Sequence, residues 1–252
     1  MNFLHAFILG IVEGLTEFLP VSSTAHLIVA NRLLGLADSD FLKSFDIYIQ
    51  LGAILAVVVL YAKKLLVNWK LFWRVAAAFF PTALIGLIAY PFVKAVLLEN
   101  LLVCGIALLV GGILLIIFEK WHKAQPAKES ISYPQAAGVG LFQALAMIPG
   151  VSRSAATIIG GQLLGIDRKT IVEFSFLLAI PTMAAASGFD LLKNDFSFSG
   201  AEWQLLAVGF IAAFLTALLA IRFFLKFIQQ HSFAGFGWYR IIVGALILLF
   251  LL

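Results

Sequence analysis

Residues 13–26 read Glu13-Gly14-Leu15-Thr16-Glu17-Phe18-Leu19-Pro20-Val21-Ser22-Ser23-Thr24-Ala25-His26. The stretch sits in the middle of an apolar run, 3–36, and interrupts it with Pro20 and three consecutive hydroxyl residues. Each flanking half is about 14 to 18 residues, short of the ~20 needed to cross a bilayer. A helix that dips in, breaks and returns on the same side satisfies its backbone in lipid. A second broken run, 135–166, carries Pro149-Gly150-Val151-Ser152-Arg153-Ser154. Setting Ser22 against Ser152 aligns Ala25 with Ala155, Ile28 with Ile158, and Leu33-Leu34-Gly35 with Leu163-Leu164-Gly165. The offset is close to half the chain, and it predicts an internal duplication.

The rest of the chain agrees with a membrane setting. Of 252 residues, 63% are hydrophobic and 12% charged, where a soluble domain is about half apolar and a quarter charged. A water-soluble enzyme, a disordered chain and a disulfide scaffold are excluded. The net charge of +4 is too sparse for a nucleic-acid binder. Cys104, the single cysteine, reads as a small core residue. The first residues lack a cationic stretch, so no cleavable leader is expected. Six apolar runs are predicted as full spans, at about 44–62, 73–92, 100–118, 170–190, 203–225 and 235–252. The expected fold is an all-α polytopic membrane protein forming one integral domain, 1–252. It comprises two inverted repeats, about 1–120 and 134–252, each a re-entrant hairpin plus three spans. A polar linker at about 121–133 joins them. Three spans per copy is odd, so the second copy must be upside down, with its site near the midplane where the tips meet.

Cation placement orients this scheme. On the side away from the N-terminus it puts twelve Lys and Arg, among them Lys63, Lys64, Lys123, Lys128, Arg168 and Arg240. The N-terminal side has only Arg32, Lys43, Lys94 and Lys193. The positive-inside rule makes the richer side cytoplasmic, with both termini and the first hairpin's mouth periplasmic.

Ionisable groups inside membrane segments are functional candidates. Glu13 and Glu17 stand four apart and share a helix face. Two close carboxylates in a low dielectric need compensation, which Mg²⁺ or Ca²⁺ would provide while sharing its shell with phosphate. Ser22, Ser23 and Thr24 would cap a half-helix whose N-terminus is an anion site, and His26 lies one turn from Ser23. At the second tip Arg153 offers a fork for phosphate oxygens, with Ser152, Ser154 and Thr157 as hydroxyl donors. Arg153 reads equally as an ion-pair partner for Glu13 or Glu17. Asp46 and Gln50 could line the cavity from the outer side, and Glu173 and Ser175 occupy the related stretch of the second repeat. A solvated carboxylate is the expected reading of Glu173.

Both broken motifs resemble signatures of the bacterial undecaprenyl-diphosphate phosphatases of the bacitracin-resistance (BacA/UppP) type. Residues 13–26 resemble the first and Pro149-Gly150-Val151-Ser152-Arg153-Ser154-Ala155-Ala156-Thr157 the second. The segments 45–52 and 173–181 are similar as well, so the resemblance covers nearly the whole chain. Ala25 departs from it, standing where many members have Gly. The resemblance implies hydrolysis of undecaprenyl diphosphate to undecaprenyl phosphate and phosphate at the bacterial inner membrane. It also implies that Glu13 and Glu17 hold a divalent cation or position water, with Ser23 and His26 as nucleophile and acid/base partner in either order, and Arg153 as diphosphate clamp. Partners would be the polyprenyl diphosphate and membrane lipids, with a homodimer as the only protein assembly entertained. The competing class is a secondary transporter or lipid flippase, since inverted repeats with broken helices also build carriers. A scaffold without a site conflicts with buried charge at both tips.

Overall fold

A computed structural model describes residues 1–93, 97, 100–122, 130–193 and 198–251. Ten α-helices account for most of them: α1 Phe3–Thr16, α2 Ser23–Leu33, α3 Asp40–Val67, α4 Trp69–Phe92, α5 Leu101–Trp121, α6 Tyr133–Ala144, α7 Arg153–Leu163, α8 Arg168–Lys193, α9 Gly200–Phe227 and α10 Ala234–Phe250. Most of the expected linker, with Lys123 and Lys128, lies outside the described residues, as do Lys94 and the Lys193 side chain.

Polar residues set the helix starts. Ser39 accepts from the Leu42 amide at the head of α3, and Asn100 from Val103 at the head of α5. Ser132 with Gln135, and Ser199 with Glu202, form reciprocal caps at α6 and α9. Each cap satisfies amides that hydrocarbon would leave without a partner.

The two broken runs are helical hairpins. At 1.5 Å per residue, α1 and α2 are about 21 and 17 Å long against a hydrocarbon core of about 30 Å, so neither crosses alone. At the breaks Ser22 and Ser152 adopt positive φ, 71° and 74°, and at the hairpin exits Gly35 and Gly165 do the same at 65° and 79°. These are the residues the sequence alignment had placed opposite each other. A non-glycine residue in that region costs of order 1–3 kcal/mol and persists only where the surroundings impose it.

Among the described residues, five helices are long and apolar enough to span a membrane: α3, α4 over 69–89, α5, α8 over 168–189, and α9. The predicted sixth span, α10, is helical but has 17 residues. The halves interdigitate, α1 packing on α9 and α6 on α4, while α5 packs on α10 and α3 on α8. Close approach rests on small residues rather than apolar transfer, which has little force inside lipid. A Cβ on Gly14 would meet the Ala213 carbonyl at 2.4 Å, and one on Gly140 the Ala78 carbonyl at 1.9 Å. The outward faces, including Phe80, Leu87, Ile88, Leu219 and Phe223, are exposed and apolar.

At one end of the bundle, Arg168 donates to both Glu119 oxygens at 2.8 and 3.0 Å and to the His231 carbonyl at 3.1 Å. Lys64 pairs with Glu173. Glu173, expected to be solvated, is therefore one half of an ion pair joining α3 to α8.

Candidate active site

The breaks bring both tips to one place. A cavity of about 140 Å³ is lined by Glu17, Ser22, Ser23, Thr24 and Gln50 from the first half, and by Pro149, Gly150, Ser152 and Arg153 from the second. The N-termini of α2 and α7 both open onto it, so free amides and positive helix ends face the same small volume.

Glu17 is its centre. One oxygen, Oε2, accepts from Ser23 Oγ at 2.5 Å. The other, Oε1, accepts from Arg153 Nε at 3.3 Å and Nη2 at 3.2 Å. The ion pair expected as one reading of Arg153 is thus formed with Glu17, both side chains being about nine-tenths buried. Arg153 Nη1 donates to the Ser175 carbonyl at 2.9 Å, and its guanidinium lies 5.8 Å from the centre of the Phe18 ring. A carboxylate that orders a serine hydroxyl on one side and a guanidinium on the other can take a proton from the serine beside a bound anion.

Glu13 lies one turn behind Glu17, fully buried, and no donor reaches either of its oxygens. Asp46 is not in the cavity: its Oδ2 accepts from Asn31 Nδ2 at 2.9 Å. Among the described residues no three His, Cys, Asp or Glu side chains converge as a metal cluster. What remains for a cation is the Glu13–Glu17 pair. That donor set fits Mg²⁺ or Ca²⁺, which binds through one or two carboxylates with substrate phosphate and water completing the shell. The unsatisfied Glu13 oxygens are what such an ion would relieve.

Besides Asp46, three expected residues are placed differently. His26 was paired with Ser23 by helical spacing, but its ring turns the other way. Nδ1 is 2.7 Å from the Ser22 carbonyl, Nε2 is 2.7 Å from Tyr239 Oη, and the ring stacks on Tyr239. A carbonyl only accepts, so Nδ1 carries the hydrogen and Nε2 accepts from the tyrosine. Both nitrogens are engaged away from Ser23, whose proton goes to Glu17 instead. Ser154 and Thr157, expected at the phosphate, are fully buried and do not line the cavity. Successive helix residues point about 100° apart, so Ser152 and Arg153 face the cavity while Ser154 faces the first tip. Its Oγ donates to the Leu19 carbonyl at 2.7 Å. Thr157 Oγ1 meets Ser175 Oγ at 2.6 Å, tying α7 to α8.

Arg240 was grouped with the cytoplasmic surface cations. It is instead 1% exposed and reaches the tips from α10. Nη1 donates to the carbonyls of Pro20 and Val151 at 3.1 and 3.0 Å; Nη2 donates to those of Gly150 and Ala107 at 2.9 and 3.2 Å. One guanidinium thereby binds the backbone of both breaks, where the Pro20, Gly150 and Val151 carbonyls lie outside any helix, and ties them to Ala107 in α5. Tyr239 was missed altogether. The available signal was an arginine inside the apolar run 235–252, with no acid near it in sequence.

Fold and site together define an all-helical, multi-pass membrane protein whose two broken helices meet around a buried Glu17–Ser23–Arg153 cluster. A family model described as Bacitracin resistance protein BacA matches residues 6–246, and the chain belongs to that family. It is 50% identical to an undecaprenyl-diphosphatase of Aquifex aeolicus over 95% of both chains. It is 49% identical to one of Wolinella succinogenes over 100% of this chain and 99% of the relative. A third, of Sulfurihydrogenibium sp., is 50% identical over 98% of each.

Proposed function

We propose that the protein hydrolyses undecaprenyl diphosphate to undecaprenyl phosphate and inorganic phosphate, recycling the lipid carrier of peptidoglycan synthesis and conferring bacitracin resistance. The observation that carries the reading is Glu17 held between the Ser23 hydroxyl and the Arg153 guanidinium at the meeting of two helix N-termini. The diphosphate displaces one arm of the Arg153–Glu17 contact and takes guanidinium donors, the Ser22 and Ser152 hydroxyls and the free amides of α2 and α7. Ser23 Oγ then attacks the terminal phosphorus and passes its proton to Glu17 as the anhydride P–O bond breaks. Glu17 gives that proton to the departing undecaprenyl phosphate, and the regenerated carboxylate deprotonates a water that cleaves the phosphoserine, the proton returning to Ser23 Oγ as phosphate leaves. Phosphoryl transfer asks mainly for positioning and charge neutralisation, which this array supplies. Glu13 and Glu17 would hold a divalent cation, Mg²⁺ or Ca²⁺, that neutralises charge on the diphosphate when bound.

The membrane arrangement belongs to the same reading. Six spans, with α10 as the sixth, and two inverted repeats divided by the 121–133 linker are supported by the matched element order and the paired positive-φ serines. At 17 residues α10 falls at the short end of spanning helices, about 17–25. With Arg240 buried at the tips, the cation count becomes eleven to four and still favours a periplasmic mouth. A carrier would use the same scaffold but has no need of a serine hydroxyl bonded to a carboxylate.

The test is phosphate release from undecaprenyl diphosphate by the purified chain in detergent, compared with Ser23→Ala and Glu17→Gln. Turnover in the unsubstituted protein with at least a hundredfold loss in both variants is expected, the usual range for a general base being about 10²–10⁴. Full activity of Ser23→Ala would replace the serine by a water activated at Glu17; no release by the parent would overturn the hydrolase.

A further inference from the structure

The two breaks take matching conformations, φ 71° at Ser22 and 74° at Ser152, but they are held differently. Ser152 caps its own helix, its Oγ accepting from the Ala155 amide at 3.3 Å. Ser22 makes no side-chain cap, which leaves its hydroxyl to the head cavity it lines. An imidazole takes the place of the cap. The Ser22 carbonyl accepts from the His26 amide at a long 3.3 Å, and from His26 Nδ1 at 2.7 Å. In the register that pairs Ser22 with Ser152, the residue opposite His26 is Ala156. There the backbone bond alone suffices, the Ala156 amide reaching the Ser152 carbonyl at 3.0 Å.

The ring bond exists only while the imidazole hydrogen is on Nδ1, and the site of that hydrogen is set by the bond the other nitrogen makes. Tyr239 Oη lies 2.7 Å from Nε2, and the two rings stack 6° from parallel. Without the phenolic donor Nε2 is free to carry the hydrogen, and a bare Nδ1 lone pair then faces the carbonyl oxygen. Arg240, the next residue of α10, donates to the Pro20 carbonyl. Two adjacent residues of α10 thus fix the first break on either side of Val21, one directly and one through His26. Neither Tyr239 nor His26 lines the head cavity.

We infer that Tyr239 is a positioning residue: by donating to His26 Nε2 it keeps the imidazole hydrogen on Nδ1, which holds the Ser22 carbonyl and aims Ser23 Oγ at Glu17 and the substrate phosphorus. The inference rests on the hydrolase reading for the reacting atoms. His26 then works without exchanging a proton with the substrate, and the acid/base work stays with Glu17.

Three variants of the full-length protein in detergent test this. Tyr239→Phe keeps the stacked ring and removes only the hydroxyl. Its kcat for undecaprenyl diphosphate should fall at least tenfold, because a slightly misplaced nucleophile is costly. KM should change little, since Arg153 and the α7 amides still hold the diphosphate, and the melting midpoint should fall by no more than about 2–4 °C. His26→Asn puts an amide N–H where Nδ1–H stands and has no tautomer to control. It should turn over at least tenfold faster than His26→Gln, whose amide reaches the Nε2 position, and adding Tyr239→Phe to it should cost nothing further. Imidazole ¹⁵N spectra of histidine-labelled protein at alkaline pH give a readout without substrate. The signal lost in His26→Asn should be protonated at Nδ1 in the parent, with the Nε2-protonated form appearing in Tyr239→Phe. Parent His26 protonated at Nε2, an unchanged tautomer or unchanged kcat in Tyr239→Phe, or His26→Asn no faster than His26→Gln would each overturn the assignment. The expected spectra without phosphate release from the parent would leave the hold on Ser22 standing and remove the hydrolase reading alone.

Discussion

Arg240→Met removes the guanidinium that holds both breaks while keeping an unbranched apolar side chain of comparable length. Four carbonyls, of Pro20, Ala107, Gly150 and Val151, lose the guanidinium's hydrogen bond. Bonds from a charged donor contribute about 1.5–3 kcal/mol each, a gross loss of roughly 6–12 kcal/mol. Against it stands the several kcal/mol no longer needed to desolvate the arginine. The net destabilisation should be about 3–5 kcal/mol, the range for breaking a buried ionic contact. At about 2–4 °C per kcal/mol for a chain of this size, the melting midpoint in detergent falls by roughly 6–20 °C. Turnover should drop at least tenfold although Arg240 does not line the head cavity, because Pro20 and Val151 set the directions of Ser23 and Arg153. Arg240→Lys, with three donors on one nitrogen, should lie between. Paired measurement of melting midpoint and initial rate decides the matter. If Arg240→Met melts and turns over like the parent, the tips are held by other contacts, the Ser154–Leu19 bond first among them, and the role given to Arg240 is wrong.

Arg153→Lys keeps the charge but cannot reach Glu17 and the Ser175 carbonyl with one fork, so turnover should fall at least tenfold, about 1.4 kcal/mol of barrier; near-normal turnover would leave only an electrostatic role. Arg153→Ala should be slower still and less stable, since Glu17 then stays buried without its partner. Glu13→Gln should abolish most activity while expression and melting stay near the parent's, and a chelator should inactivate the parent reversibly. Activity surviving both treatments would make Glu13 structural. A membrane-impermeant label should reach a cysteine placed at Asp38 from the periplasm and one at Ser130 only after the membrane is opened; the reverse pattern would turn the protein over.

How much of this was legible in the sequence depended on what each residue answers to. Helix boundaries answer to local rules, so both hairpins, the five long spans and the shorter α10 were found within a few residues. The register of Ser22 with Ser152 was legible because the same strained turn recurs with the same neighbours. Directions of side chains were not. His26 shares a helix face with Ser22 by spacing, but whether its ring meets Ser23 or Tyr239 depends on α10, more than two hundred residues away. Ser154 and Thr157 look like Ser152 in a list of hydroxyls, and only the packing of α7 against the first tip and α8 separates them. Arg240 was misplaced because a count of charges along the chain carries no depth: an arginine near a span's end looks interfacial until broken backbone is found beside it.

The site is divided between the two halves in a way that bears on how such a chain could arise and whether it could be undone. The first tip contributes the acids and the serine, the second the arginine, and the carbonyl-binding arginine comes from the last helix. A first half paired with its own copy would bring four buried glutamates together with no cation; a second half so paired would face two arginines with no acid. An ancestral half-length protein working as a symmetric pair must therefore have carried both kinds of residue on each tip, or neither. Once the tips specialised, the halves became obligate complements, and separating them into independent proteins should restore activity only when the two different pieces are made together.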